Sequence, residues 1–334
     1  MPKLGRPMWV VGATLALGVA WLGFGGELRA PPRLAEPRDA AMTQQLRTRA
    51  RVILVTLDGP KREDIFSPAL MPKLHAALKQ RRGALLEARA ASSMALSLPG
   101  YQALATGVVT KCLDNECPRV AQDTVAEFLA ERLALERDEV AVFASWSRMR
   151  RAVAQGDARV LIDAPDDGPP REGGPLWKNA RFDAQTFDAA LAHLTRTRPR
   201  FLQVSFLDMD EWAHAGFREE YEAALGDADA RIAHLLDWVE SLPPDERALT
   251  TVLITSDHGR GHGDWREHGF FHRGSGETFL AAFPVRGVVG RAEVDQRDVR
   301  PTIERLFGFC TEARRASGAG RPIGAVVGEL PCEE

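Results

Sequence analysis

Apolar residues occupy both alternating sets of positions in "RVILVTLDG" (51–59), "RFLQVSFLDMD" (200–210) and "TVLITSDHG" (251–259), with only a few uncharged polar residues among them. Continuous rather than alternating apolarity means that both faces of a strand are covered, as in a parallel sheet between helical layers. "DEVAVFASW" (138–146) and "TFLAAFPV" (278–285) predict two more strands. Between them the spacing shifts to the helical period in "MPKLHAALKQRR", "TVAEFLAERLAL", "TFDAALAHLTRT", "EEYEAALGDADARIAHLLDWVESL" and "VRPTIERLFG". Alternating strands and helices predict an α/β fold, a three-layer sandwich around a mostly parallel central sheet. The stretch 156–178 is rich in Asp, Gly and Pro and reads as a loop. No internal repeat is visible, and one domain is expected from residue 45 to residue 334.

The first thirty residues follow another pattern. Lys3 and Arg6 precede a charge-free apolar stretch from Met8 to Gly26. Residues 1–30 therefore read as a signal peptide or a retained N-terminal membrane anchor. Residues 31–44 read as a Pro-rich linker. The expected location is extracytoplasmic, periplasmic if the cell has an outer membrane, with anchoring to the inner membrane if the segment stays. Composition adds little: 45% hydrophobic residues and a net charge of −3 are ordinary for a globular chain. No basic surface points to nucleic acid. In an oxidising compartment the four cysteines are free to pair. Cys112 and Cys117 bracket the loop "LDNE", which leaves Cys310 and Cys332 for each other. A zinc site on all four thiolates, although no CxxC pair is present, and unpaired thiols stay open as alternatives.

Three apolar runs end in chemistry: Asp58, then Asp208 and Asp210, then Asp257 and His258. Open parallel sheets collect their sites at the carboxyl ends of strands. Carboxylates gathered there repel one another unless cations intervene. Four of the eight histidines, His258, His262, His268 and His272, fall within residues 251–274. Asp210 and His214 are one helical turn apart and would point the same way. Carboxylate oxygen with imidazole nitrogen suits zinc and tolerates manganese.

An early "LDG", a serine ahead of "TG", an aspartate with a histidine four residues on, "SDHG" and a later "HG" occur in one order. This combination resembles the alkaline phosphatase superfamily, in particular its nucleotide pyrophosphatase/phosphodiesterase and sulfatase-like branches. The resemblance spans roughly residues 50–290 and implies an alkaline-phosphatase-like fold holding two divalent metal ions, usually zinc. It implies that Asp58, Asp257 and His258 hold one ion, which also touches the nucleophile. Asp210 and His214 would hold the other, completed by a distant histidine. His268 in "WREHGF" is the choice, with His272 next and His262 flanking. Ser97 in "SLPGYQALATG" matches the nucleophile, ahead of Ser92 and Ser93, and a helix beginning near Pro99 would face an anionic substrate with its N-terminus. Ser97 could also be a simple N-cap. Two positions depart from the pattern. Tyr101 stands where the sulfatase motif has arginine, and Gly100 where the phosphodiesterase branch has asparagine. The phosphoryl-oxygen donor is thus left among Tyr101, Arg260 and a backbone amide.

The expected activity is that of a two-metal phosphoric ester hydrolase, a phosphodiesterase or phosphomonoesterase, working through a phosphoseryl intermediate. Its partner would be a small phosphorylated substrate or a lipid or glycan headgroup. The alternatives are a phospho-headgroup transferase and a non-catalytic metal-binding relative. A mutase of the superfamily fits poorly, because the interval between Gly107 and Asp208 leaves no room for a large inserted domain. A dinucleotide oxidoreductase would need GxGxxG after the first strand, where "LDGPKRED" stands. Arg260, Trp265, Arg266 and "WKNARF" (177–182) are candidate pocket walls.

Overall fold

The computed structural model describes residues 37–166, 179–290, 293–310 and 318–333. The signal or anchor expectation for residues 1–30 lies outside them, and among the described residues no helix is long and apolar enough to cross a membrane.

Eight strands form one sheet: β1 (Arg51–Leu57), β2 (Ala84–Arg89), β3 (Val140–Ala144), β4 (Leu161–Asp163), β5 (Phe201–Phe206), β6 (Thr250–Ser256), β7 (Glu277–Phe283) and β8 (Val294–Asp295). Their order across the sheet is β4-β3-β5-β1-β6-β7-β2-β8. All pairings are parallel except those of β7, which runs antiparallel to both β6 and β2. The mostly parallel sheet is as expected. The short strands β4 and β8, and β2 with its alternating burial, carry too little continuous apolarity to be visible in the sequence.

Residues of β1 show how the layers arise. Val52 and Leu54 belong to a core beneath the helices Ser97–Thr106, Val125–Arg132 and Val299–Leu306. Ile53, Val55 and Leu57 point into a second core beneath Pro72–Gln80, Asp183–Thr197 and Arg218–Glu240. Successive side chains of a strand alternate between faces, so a strand that is apolar at both alternating sets of positions requires helices on both sides. The result is the predicted three-layer sandwich.

Register decides where the site lies. β1 sits between β5 and β6, with Leu57 level with Phe206 on one side and Ser256 on the other. The residues following these strands, Asp58, Leu207 and Asp257, therefore emerge side by side. A cavity of about 380 Å³ between Arg81, Leu236, Arg247 and Pro284 lies beside Val252, near the opposite, amino end of β6, and takes no part in the strand-end chemistry.

The linker reading of residues 31–44 does not hold for its second half. Pro37–Arg49 is a helix, with Thr43 and Leu46 buried. Its last carbonyls are held by one side chain: the Arg200 guanidinium donates to the carbonyls of Leu46 (3.2 Å), Arg47 (3.0 Å) and Thr48 (2.8 Å), and to that of Ala50 just beyond. Terminal carbonyls without intrahelical partners need such donors. Proline content misled here because the first turn of a helix accepts proline readily. Both expected disulfides are formed, Cys112–Cys117 and Cys310–Cys332, so the four-thiolate zinc site and the free thiols are set aside.

Arg200→Ala should cost about 2 kcal/mol, since bonds to a charged donor are lost and carbonyls are left unpaired. Urea unfolding measures this, with faster proteolysis within residues 37–49 as the local readout. An unchanged midpoint would mean that the cap contributes nothing.

Candidate metal centre

Asp58 directly follows β1 and is fully buried. The Tyr101 hydroxyl donates to its Oδ2 at 3.1 Å, which leaves Oδ1 facing Ser97 Oγ at 3.4 Å and His258 Nε2 at 3.4 Å. Tyr101 is thereby committed to a carboxylate and is not a donor to substrate. Asp257, also fully buried, accepts from the Gly59 N–H on Oδ1 (3.1 Å), while its Oδ2 has no hydrogen-bond partner and lies 3.3 Å from His258 Nε2. His258 donates from Nδ1 to the Gly259 carbonyl (2.9 Å), which turns the Nε2 lone pair inward. Metal-binding imidazoles are typically oriented this way, by a backbone carbonyl on the other nitrogen.

Ser97 is the first residue of the helix Ser97–Thr106, not its N-cap; Leu96 occupies that position. Its hydroxyl instead meets His258 Nε2 at 3.2 Å. The tight turn before it places Ala95 at φ +45°, a costly conformation for a residue with a Cβ. Ser92 Oγ accepts from the Met94 N–H within that turn, and Ser93 is exposed. Gly107 of the "TG" signature closes the helix, its N–H on the Ala103 carbonyl.

The second group comes from the turn after β5. Asp210 and His214 share the helix Asp208–Ala215, with His214 Nε2 3.5 Å from Asp210 Oδ2. His268 reaches them from the long loop after β6: its Nε2 lies 3.0 Å from His214 Nε2 and 3.8 Å from Asp210 Oδ1. Its Nδ1 donates to the Ala95 carbonyl at 2.9 Å, so the strained turn before Ser97 also orients this ring. The His258 and His268 rings stack with centroids 3.8 Å apart. His272 lies in the same loop, its N–H on the Gly269 carbonyl, and belongs to neither group. His262 bridges the exposed Glu63 (3.4 Å) and the half-buried Glu277 (3.0 Å), away from the buried acids of the two groups. Asp208 turns aside as well: it accepts from the Asp183 N–H, and the Asp183 carboxylate accepts from the N–H groups of Leu207 and Asp208. Of the acids ending β5, only Asp210 faces the site.

Two glycines are required by close approach. A Cβ on Gly59, at φ +55°, would sit 2.6 Å from both Asp210 Oδ1 and His258 Cε1, in the seam between the two groups. A Cβ on Gly100 would sit 2.3 Å from the Asp257 carbonyl oxygen. Gly100 is thus a packing position, with no room for the asparagine that the phosphodiesterase pattern suggested. The structure offers another amide. Asn115, between the bridged Cys112 and Cys117, accepts from the Leu98 N–H on Oδ1 at 2.9 Å, beside Ser97. Nothing in the sequence marks Asn115 beyond a polar loop between two cysteines. Of the remaining candidate walls, Arg266 pairs with Asp264 and Trp265 packs on Tyr221. Asn179, Ala180, Arg181 and Phe182 of "WKNARF" are described, and Trp177 and Lys178 are not.

The donors fit divalent metal. Asp58 Oδ1, Asp257 Oδ2 and Ser97 Oγ lie 3.2–3.4 Å from His258 Nε2. Ligands about 2.0–2.1 Å from a tetrahedral zinc are separated by about 3.3 Å. Oδ2 of Asp210 and of Asp257 are buried without hydrogen-bond partners, which is costly without a cation.

Electrostatics agree. Burial, reinforced by Asp210, pushes Asp58 up to about 7. Burial and Asp58 push Asp257 well up. Burial is the largest influence and opposes the Asp210 carboxylate, but the Arg260 guanidinium together with His214, His268 and His258 outweighs it and holds the group at about 2. Burial lowers His258 to about 4 and His268 to about 3, keeping both rings neutral and able to ligate.

No family model matches this chain, and no curated protein does. Solved structures match closely in fold. A 2-O glycosaminoglycan sulfatase is 13% identical, with 84% of this chain aligned to 75% of that one at a TM-score of 0.58. The phosphonate monoester hydrolase of Agrobacterium radiobacter is 16% identical, with 86% and 78% covered at 0.58. A mutant of TAB5 alkaline phosphatase with magnesium bound is 14% identical, with 77% and 97% covered at 0.50. The fold is therefore shared with these sulfatase, phosphonate monoester hydrolase and alkaline phosphatase structures, the alkaline-phosphatase-like fold that the motif order implied.

The metal-free protein should lose stability as pH rises from 6.5 to 8. Asp58 and Asp257 hold protons in the folded chain that the unfolded chain has already released, so their contribution falls as pH climbs from about 4 through 7. Asp208, raised to about 8 by burial and Asp183, acts in the same sense. The lowered histidines act oppositely, but that contribution is complete above about 6.5. Added zinc should displace the carboxyl protons, and its Tm gain should grow over the same interval. Thermal scans in chelator and in zinc measure both; a metal-free Tm that rises from 6.5 to 8 contradicts the assignment.

Proposed function

We propose that this chain is a metal-dependent phosphoric ester hydrolase whose nucleophile is Ser97. The observation that carries the reading is the position of Ser97 Oγ, buried at a helix start, 3.4 Å from Asp58 Oδ1 and 3.2 Å from His258 Nε2. Asp58, Asp257 and His258 would hold one ion beside that oxygen, and Asp210, His214 and His268 a second. Bound there, divalent ions would lower the pKa of the serine hydroxyl and stabilise charge on the phosphoryl and leaving oxygens.

The chain's own groups have separable tasks. Asp58 Oδ1 would hold the ion beside Ser97 Oγ, so the hydroxyl proton passes to solvent, while Tyr101 fixes the orientation of that carboxylate. Ser97 Oγ bonds to phosphorus as the bond to the ester oxygen breaks, and that oxygen leaves as an alcohol by taking a proton from water. A second water then adds to phosphorus as the phosphoseryl P–O bond breaks, releasing the phosphoryl product and returning a proton to Ser97 Oγ. The N-terminus of the helix Ser97–Thr106 favours the anionic substrate. Asn115 Oδ1 is held by the Leu98 N–H, so its Nδ2 amide is the donor we assign to a non-bridging phosphoryl oxygen.

Serine as nucleophile, with the Tyr101 hydroxyl spent on Asp58, favours phosphoric over sulfuric esters. The substrate class is a small phosphate or phosphonate ester or a phosphorylated headgroup. An extracytoplasmic location is supported by the apolar stretch Met8–Gly26 and by two disulfides, which persist in oxidising compartments.

The test is turnover of bis-p-nitrophenyl phosphate, p-nitrophenyl phosphate and a phenylphosphonate ester, with zinc or manganese and with bound metal quantified. Ser97→Ala should lose at least about 10³-fold in kcat, since among the described residues no other nucleophile is placed beside Asp58 and His258. Retained turnover in that variant, or no turnover of any ester by the metal-loaded chain, rejects the proposal. Asn115→Ala should lose about 10²–10³-fold in kcat, the usual effect of removing one oxyanion donor. An effect confined to KM would remove Asn115 from the transition state.

A further inference from the structure

The two halves of the centre differ in charge. Asp58, Asp257 and His258 bring two carboxylates and one imidazole together, with no arginine or lysine paired to either carboxylate among the described residues. The other half has a single carboxylate, Asp210, and it is already paired. The Arg260 side chain is completely buried against Asp210 Oδ1. Its Nη2 also donates to the Asp210 carbonyl at 3.2 Å, and its Nη1 to the Arg266 carbonyl at 2.8 Å. These bonds hold the guanidinium from two segments of chain. Nη2 lies 3.2 Å from where a Gly59 Cβ would be, beside Asp210 Oδ1 and His258 Cε1. Arg260 therefore stands at the seam between the halves. Arginine cannot shed its charge as a lysine can.

Resting on the metal-site reading above, we infer that Arg260 is a built-in cation of the Asp210 half, so that the protein binds one divalent ion tightly on Asp58, Asp257 and His258 and a second only weakly on Asp210, His214 and His268. An ion entering the first half meets two uncompensated carboxylates. An ion entering the second meets a carboxylate neutralised by its guanidinium, two neutral imidazoles and a fixed positive charge nearby. Like charges a few ångströms apart in a buried site repel strongly. Asp210 Oδ2 is free of hydrogen bonds, so the weak site exists without displacing Arg260. When it is empty, the guanidinium leaves a positive charge on that side of an anionic ester.

Calorimetric titration of the metal-free, full-length chain with zinc, read as binding and not as turnover, tests this. The wild type should show two steps separated by at least about tenfold in affinity, given the Coulomb cost of the resident charge. Arg260→Met should tighten the weaker step by at least about tenfold and move the stronger one little. Arg260→Gln, which removes the charge but keeps hydrogen-bond donors, should do the same, and it serves if the methionine variant does not fold. Asp210→Asn should abolish the weak step alone. Two equal steps in the wild type, or an unmoved weak step in Arg260→Met, overturns the inference while leaving the hydrolase reading standing. Loss of the tight step in Asp210→Asn would show that the halves are assigned the wrong way round. No zinc binding by any form would reject the inference and the metal-site reading together.

Discussion

Three carboxylates, Asp58, Asp210 and Asp257, are fully buried within one small volume beyond the carboxyl ends of the central strands β1, β5 and β6. Such a cluster cannot stay ionised without compensation, because desolvation and mutual repulsion act together. The structure answers this differently at each acid. Asp210 has the Arg260 guanidinium. Asp58 has a neutral hydroxyl donor, Tyr101, and Asp257 a backbone N–H. The last two arrangements neutralise nothing, and they leave the site dependent on protons or on metal.

The surroundings follow from that constraint. Gly59 must lack a side chain because both ligand groups crowd the place a Cβ would take. The chain before Ser97 bends through a left-handed alanine whose carbonyl orients His268. The disulfide loop Cys112–Cys117 carries Asn115 to the start of the helix Ser97–Thr106. Each feature is local and costs some backbone freedom. Together they hold oxygen and nitrogen donors at separations that suit a small dication.

Much of this was legible in the chain itself. Runs apolar at both alternating sets of positions can only be strands covered on both faces, and they announced β1, β5 and β6 with the layers around them. Aspartates ending those runs, and histidines crowding after the third, pointed to cations before any contact was known. What misled was local composition. Prolines near residue 37 suggested a tether where a helix begins, whereas the choice of Asp210 over Asp208, made on the histidine one turn on, agrees with the turn after β5. Asn115 left no mark, because a polar loop residue gains its meaning only from what it touches.

Spacing and residue type alone thus determined the sandwich, the three strand-end acids and the class of ligand atoms, since these depend on period-two alternation and on side-chain chemistry carried by the chain. Tertiary structure alone decided that Tyr101 serves a carboxylate, that Asn115 reaches the start of the helix Ser97–Thr106, and that Arg260 is buried as a counter-ion. The physical reason is distance. Asp58 and Asp257 become neighbours only when β1 lies between β5 and β6 in register, and a guanidinium compensates a carboxylate only at contact range.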